Sequence, residues 1–198
     1  MKSTFLALAL TGTSARMSFG ECPKDVENVT NLDKARYSGM WYEIEKDMSF
    51  PMTMGADCTY KNFTVDSNGD LDLWFGAYYW PAFSYNGVGG TMYCTAGNKE
   101  TCEATMTGTG AKREAFPVLA TDYETYDIGY YCMDMIKGFM KADFVMIYGR
   151  EKTMSAEKLE EVRNIIRAKI PEYGYDFQMK SWNTHGETCE YEKVSTYF

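Results

Sequence analysis

The residues able to do covalent or ionic chemistry are few. Six cysteines stand at 22, 58, 94, 102, 132 and 189, none in a C-x-x-C pair, and the sole histidine is His185. That set does not suit a structural zinc site, and no metal ligand is assigned. No serine–histidine or paired-carboxylate constellation stands out, so the chain reads as a binding protein and not an enzyme. In an exported chain an even number of cysteines reads as disulfides, here three, with a connectivity that spacing alone leaves open. Lys61 is the unusual ionisable residue. It sits in the β-type run Thr59-Tyr-Lys-Asn-Phe-Thr-Val65, and a lysine is rarely buried without a partner.

The first residues set the compartment in which this chemistry would operate. Lys2 precedes the apolar run Phe5-Leu-Ala-Leu-Ala-Leu10, too short to span a bilayer but long enough for a signal-peptide core. Ser18 and Gly20 offer small side chains for a cut before Glu21, with a cut after Ala15 as the alternative. The expected organisation is a signal peptide over 1–20 and one domain over 21–198, secreted and extracellular. Loss of the leader removes Lys2 and Arg16 and no acid, taking the net charge from −8 to −10. A chain this acidic, with no basic run, is not a nucleic-acid binder. Two sequons, Asn28-Val-Thr30 and Asn62-Phe-Thr64, fit the secretory route as glycosylation sites.

The elements that must position these residues are short and β-like. Aromatic and β-branched residues crowd eight segments near 40–47, 57–65, 70–79, 83–95, 101–109, 116–122, 128–135 and 142–150. Ser67-Asn-Gly69 and Ala96-Gly-Asn-Lys-Glu100 supply turn chemistry between them. In Asp70–Ala77, Leu71, Leu73, Phe75 and Ala77 share one face and Asp70, Asp72 and Trp74 the other, the period of a strand with one buried face. Eight regular strands predict a sandwich or closed barrel. One segment breaks the pattern: Ser155–Ile170 places Leu159, Val162, Ile165, Ile166 and Ile170 on a helical stripe, capped by Ser155 and stopped by Pro171 and Gly174.

Three separated motifs give the architecture a name. Gly39-Met40-Trp41 opens the first strand, Thr121-Asp122-Tyr123 ends the sixth, and Arg150 closes the eighth just before the helix. In this order the chain resembles the lipocalin family, and in Trp-Tyr-Glu-Ile-Glu-Lys at 41–46 and Leu-Ala-Thr-Asp-Tyr-Glu-Thr-Tyr at 119–126 it resembles the family's apolipoprotein D-like and bilin-binding branch. The resemblance implies an all-β fold: an eight-stranded antiparallel up-and-down barrel with one C-terminal helix packed outside. Trp41 then plugs the closed end and Arg150 covers the indole by a cation–π contact, while Thr121–Tyr123 ties the adjoining loop to the same floor. The branch's cysteine layout implies Cys22–Cys132 and Cys58–Cys189. Cys94 and Cys102 are left to bridge neighbouring strands.

The resemblance also implies a ligand site inside the barrel. With Cys58, Asn62 and Cys132 outward, alternation turns Lys61, Phe63, Tyr131 and Met133 inward, as outward Asp70 and Asp72 do for Leu73 and Phe75; matching to the branch adds Leu119, Met146 and Tyr148. Each of these is either ligand contact or plain barrel core. For Lys61 two readings stand: a salt bridge to Glu43 or Glu45 on the first strand, or a contact to a ligand carboxylate. The implied function is binding and transport of a small hydrophobic ligand, a lipid, retinoid or carotenoid, or bilin. No cofactor is required, although a bilin or carotenoid would be a bound chromophore. The alternatives are a prostaglandin-synthase-like isomerase, which would need a free cysteine, and a haem-carrying lipocalin, which would need a well-placed histidine or tyrosine. Apolar open-end loops at 48–54, 79–83 and 135–140 point to contact with a lipid surface or lipoprotein.

Overall fold

Alternation and turn chemistry produce the strands where the sequence places them. In the computed structural model, which describes residues 17–47, 55–80, 83–94, 101–107, 112–173, 179–180 and 183–191, the order is β1 (Met17–Phe19), α1 (Lys34–Tyr37), β2 (Gly39–Asp47), β3 (Ala56–Val65), β4 (Leu71–Tyr79), β5 (Ser84–Tyr93), β6 (Cys102–Met106), β7 (Glu114–Phe116), β8 (Val118–Thr121), β9 (Tyr126–Ile136), β10 (Met140–Gly149), α2 (Ala156–Lys169), a 3-10 turn (Pro171–Tyr173) and β11 (Met179–Lys180). The apolar run over 5–10 that is expected to form a leader, the 48–54 loop, the 96–100 turn and Gly174 lie outside the described residues. At the β3–β4 hairpin, Gly69 takes φ +80°, and Asp66 accepts from the backbone of Asn68 and Asp70, each at 2.8 Å.

The strands form one antiparallel sheet in the order β7-β6-β5-β4-β3-β2-β10-β9-β8, with β1 beside β10 and β11 beside β2. Pro117 alone separates β7 from β8, the two ends of that order, so the chain itself joins the two edges and the sheet curls to near closure. Proline has no N–H to give a ladder and breaks the strand there. The eight expected walls therefore appear as nine segments, with one wall split at Pro117, and β1 and β11 add three and two residues alongside β10 and β2.

Two cores share the sheet. Inside, Trp41, Phe63, Leu71, Leu73, Met92 and Met146 pack around the axis. Outside, Val162 and Ile166 of α2 lie on Leu119, Ile128, Val145 and Ile147, each buried aliphatic group contributing roughly 1.5–3 kcal/mol. Ser155 caps α2 by accepting from the Lys158 N–H, and Ile170 ends it. A bulge re-aims β2: Tyr148 stands opposite Glu43 but Ile147 opposite Glu45. Ile44 joins the helix-side core and Glu45 pairs with Arg163 of α2. Bulges shift side chains from one face to the other in this way.

The C-terminal segment fills a split that the sequence did not reveal. The register between β2 and β3 runs only from Gly39↔Phe63 to Tyr42↔Tyr60. Beyond it, Lys180 pairs with Lys46, Asn183 accepts from the Thr59 N–H at 2.8 Å and donates to Glu43 Oε1 at 2.7 Å, and the Thr184 N–H donates to Asp57 at 2.7 Å. Cys58–Cys189 fastens this strap to β3, Cys22–Cys132 fastens the N-terminal segment to β9, and Cys94–Cys102 joins β5 to β6.

Candidate functional site

At the closed end, the short α1 and the start of β2 bring Tyr37 and Trp41 together, and the Trp41 indole N–H donates to the Tyr37 carbonyl at 2.9 Å. Arg150 lies over the indole at 3.7 Å. Its Nε donates to the Tyr123 carbonyl at 3.1 Å, Nη1 to Met40 at 3.0 Å and Nη2 to Arg36 at 2.6 Å. Gly39 takes φ +97°, and a Cβ there would stand 3.2 Å from Arg150 Nη1. The Asp122 carboxylate accepts from the N–H groups of Glu124, Thr125 and Tyr126 at 2.8–3.0 Å. Burial works upward on the Asp122 carboxyl, but these bonds and the Thr125 hydroxyl hold it below the usual range. Thr121 Oγ1 accepts from the Tyr123 N–H and donates to the Tyr126 carbonyl.

Above this floor the interior is polar at its centre. The Lys61 ammonium pairs with the carboxylate of Asp127 on β9, and both side chains are buried. The Tyr37 hydroxyl closes a triangle, donating to Asp127 Oδ1 at 3.0 Å and accepting from Lys61 Nζ at 3.2 Å. The rings of Tyr148 at 4.0 Å and Phe63 at 5.6 Å face the ammonium. Burial lowers the Lys61 pKa, with Asp127 opposing. Burial also raises the Tyr37, Tyr131 and Tyr148 phenols, reinforced by the charge of Asp127 at the first two and of Glu43 at the third. The tyrosines thus stay neutral, able to donate and to accept. Phe75, Phe116, Val118, Gly129 and Met146 complete the wall, around a cavity of about 10 Å³, room for roughly one water. A larger hollow of about 650 Å³ lies outside the barrel, between residues 26–30 and β6–β7. It is open to solvent and lined by Glu27, Asn28, Thr30, Thr101 and Glu103 with Val26 and Ala115, on the outer side of the wall; the barrel interior is the candidate site.

Three expectations are corrected. The Lys61 partner is Asp127, not Glu43 or Glu45: Glu45 is turned to Arg163 by the β2 bulge, and Glu43 is held by Lys46 at 3.0 Å and by Asn183. Leu119 is buried under α2 and not on the cavity wall; the register shift between Val118 and Ala120 leaves Val118 as the inward residue. Met133 is 52 % exposed, because the β8–β9 pairing ends at Gly129 and β9 runs on beyond it. Phe63, Leu73, Met146 and Tyr148 are buried in the interior core, with Phe75 and Tyr131 packed against it. Asn28 and Asn62 are both half-buried.

Asp127 and Tyr37 escaped the sequence reading. For Asp127 a signal was present: the alternation that turns Gly129 and Tyr131 inward reaches Asp127 one step earlier. His185, the sole histidine and so the one histidine that could ligate haem, belongs to the strap, its Nε2 at 2.8 Å from the Glu43 carbonyl and Nδ1 at 2.8 Å from the Tyr191 hydroxyl. All six cysteines are in disulfides. At the mouth, Trp80, Phe83, Met135, Ile136 and Phe139 are exposed.

Comparison with known proteins agrees with this geometry. The model of the lipocalin / cytosolic fatty-acid binding protein family matches residues 38–180. A bilin-binding protein of Pieris brassicae is 28 % identical over 169 residues, covering 81 % of this chain and 84 % of that protein. Apolipoprotein D of Mus musculus is 28 % identical over 175 residues, covering 83 % and 84 %. Among solved structures, insecticyanin from the tobacco hornworm Manduca sexta aligns with a TM-score of 0.72 at 21 % identity, covering 89 % of this chain and 93 % of that one. Lobster apocrustacyanin A1 aligns at 0.60 and 15 % identity, covering 81 % and 91 %. At these identities the structural matches speak for the fold alone.

Proposed function

The chain belongs to the lipocalin family, and from that premise we propose that it is a secreted carrier that binds a small hydrophobic ligand inside the barrel. The observation that carries this reading is a cup closed at one end: the Trp41–Arg150 floor seals the bottom, and aromatic and aliphatic side chains line the wall above it. Pockets for small molecules have this make-up, apolar walls with a few placed polar groups. The free space is small, so a ligand enters by displacing side chains, and the unbranched Met146 and the Phe75 ring at the cavity edge are the ones able to turn. A lipid, a retinoid or carotenoid, and a bilin all fit that description, the last two as bound chromophores. Similarity to a bilin-binding protein and to apolipoprotein D supports that range.

An isomerase of the free-thiol kind has no residue to use, since every cysteine is bonded. A histidine-ligated haem has none either, because His185 is engaged within the strap by Glu43 and Tyr191. The signal-peptide-like run at the N-terminus and the three disulfides support export. The exposed apolar residues of the mouth, Met135, Ile136 and Phe139 on one hairpin with Trp80 and Phe83 on another, support weak contact with a lipid surface or lipoprotein. Flotation with phosphatidylcholine vesicles tests that contact, and protein left wholly at the bottom of the gradient removes it.

The binding reading is tested on protein purified from its secreted source, by absorption spectrum and mass spectrometry of an organic extract. A co-purifying apolar molecule is expected: red absorption marks a bilin, blue-green a carotenoid, and no visible band a colourless lipid. An empty extract, together with no quenching of tryptophan fluorescence by added retinol, overturns the reading.

A further inference from the structure

We propose that the interior selects uncharged ligands over carboxylates, and that Asp127 is the residue that sets this choice. The inference rests on the reading of the interior as a ligand site and names the class of ligand.

Lys61 is the cation that lines the cavity. An isolated buried lysine would be the natural anchor for a fatty-acid head or a propionate. Here its charge is already answered by Asp127, and Tyr37 accepts another of its donors. The rest of the ammonium faces the Tyr148 ring at 4.0 Å. On the acid side, one carboxylate oxygen of Asp127 takes Lys61 and the other takes the Tyr37 hydroxyl. The group is electrically closed. A ligand carboxylate would bring a second negative charge to share one ammonium with Asp127, in a medium that screens poorly, and such charge pairs exclude each other.

Glu43 works in the same direction. Its charge is felt at Lys61, Tyr79 and Tyr148. Oε1 holds Lys46 and Asn183, while Oε2 is buried without a hydrogen-bond partner, and the carboxylate acts on the Tyr148 phenol of the cavity wall. A buried carboxylate oxygen calls for a donor. A ligand hydroxyl can supply one, whereas an ionised carboxylate has no proton to give. The phenols of Tyr131 and Tyr148, kept neutral by burial, can meet a hydroxyl or a carbonyl oxygen. The ligand class is thus an elongated apolar molecule with a hydroxyl or carbonyl end and no free acid.

Retinol and retinoic acid differ in this one respect and serve as the probes, titrated into the full chain and followed by quenching of tryptophan fluorescence. At about pH 7.5 retinol is expected to bind about tenfold more tightly or better, a factor that corresponds to about 1.4 kcal/mol. Asp127→Asn keeps the shape and removes the negative charge that competes for Lys61, so that a ligand carboxylate can take its place, and should raise the affinity for retinoic acid at least about tenfold while moving retinol little. A second measurement needs no variant. As the pH falls from about 7.5 towards 4.5, retinoic acid should bind the wild-type protein more tightly as its own carboxyl takes up a proton, with retinol unchanged. Equal binding of the two retinoids, or a flat pH series for the acid, overturns the selectivity and leaves the carrier reading in place. No binding of either retinoid, or of hexadecanol or palmitate in their stead, overturns both.

Discussion

At the floor, Arg150 directs each of its nitrogens to a backbone carbonyl, of Tyr123, Met40 and Arg36, whereas in the interior Lys61 is answered by a side-chain carboxylate, that of Asp127. Backbone partners are supplied by the fold itself and neither titrate nor change with a point substitution. Side-chain partners can be altered by one mutation, one proton or one ligand. The same contrast holds for the acids: Asp122 is caged by backbone N–H groups, while Asp127 depends on Lys61 and Tyr37. The floor is therefore the part built to hold the barrel together, and the interior is the part that a single substitution, proton or ligand can change.

Truncating the floor should give the largest loss. Trp41 is fully buried and carries the Arg150 stack, so Trp41→Ala should cost about 3–5 kcal/mol, read as a lowered urea midpoint. A loss below about 1 kcal/mol would show that the plug is dispensable and erase the contrast with the interior. Next comes the buried ion pair. Lys61→Met strands the Asp127 carboxylate and should cost about 3 kcal/mol, whereas the double variant Lys61→Met/Asp127→Leu should return to within about 1 kcal/mol of wild type, because an apolar pair of similar volume often replaces a buried ion pair without loss. What remains is the Tyr37 hydroxyl left without its two partners. A double variant as unstable as the single would mean that the pair is structural in the way the floor is. Arg150→Lys sits lower, at about 2 kcal/mol, since a lysine keeps the charge but cannot reach three carbonyls with a planar fork.

Most of the fold could be read from the chain because it depends on local pattern. Alternation in β4, the Asn68-Gly69 turn, the cap at Ser155 and the helical stripe of α2 are all short-range signals. Arg150 and Trp41 were placed together only through the family resemblance, being 109 positions apart in the numbering. The interior was less legible, for identifiable reasons. Strict alternation fails at bulges, and the bulge in β2 turned Glu45 out to Arg163 while the shift in β8 turned Leu119 under the helix. Tyr37 comes from α1, a single helical turn that no period-two pattern predicts. The split between β2 and β3 is filled by residues 183–185, and only the folded chain shows that the strap reaches it.

The smallest effect should come from that strap, where a titratable side chain is held by both kinds of partner. In its neutral form His185 donates from Nε2 to the Glu43 carbonyl and accepts at Nδ1 from the Tyr191 hydroxyl. Burial lowers its pKa, assisted by Lys152 and opposed by the Glu43 carbonyl bond and the charges of Glu43 and Asp57. The folded state thus binds the imidazole proton less readily than the unfolded chain, whose histidine titrates near pH 6.5. The stability this gives is present above that value and is lost as the pH falls through it towards the lower folded value. Protonation at Nδ1 also replaces the acceptor that Tyr191 needs, so the loss should be that of one hydrogen bond, about 1 kcal/mol. Asp57 does not mask it, since bonds from Thr184 and Cys58 outweigh burial and hold that carboxyl below the usual range. Urea midpoints at about pH 7 and pH 5 should separate for the wild-type chain and converge for His185→Gln, which cannot titrate. If the variant loses as much as wild type over that interval, the imidazole is not the acid-sensitive group of the strap, and its backbone partner, like those of Arg150, is what holds it.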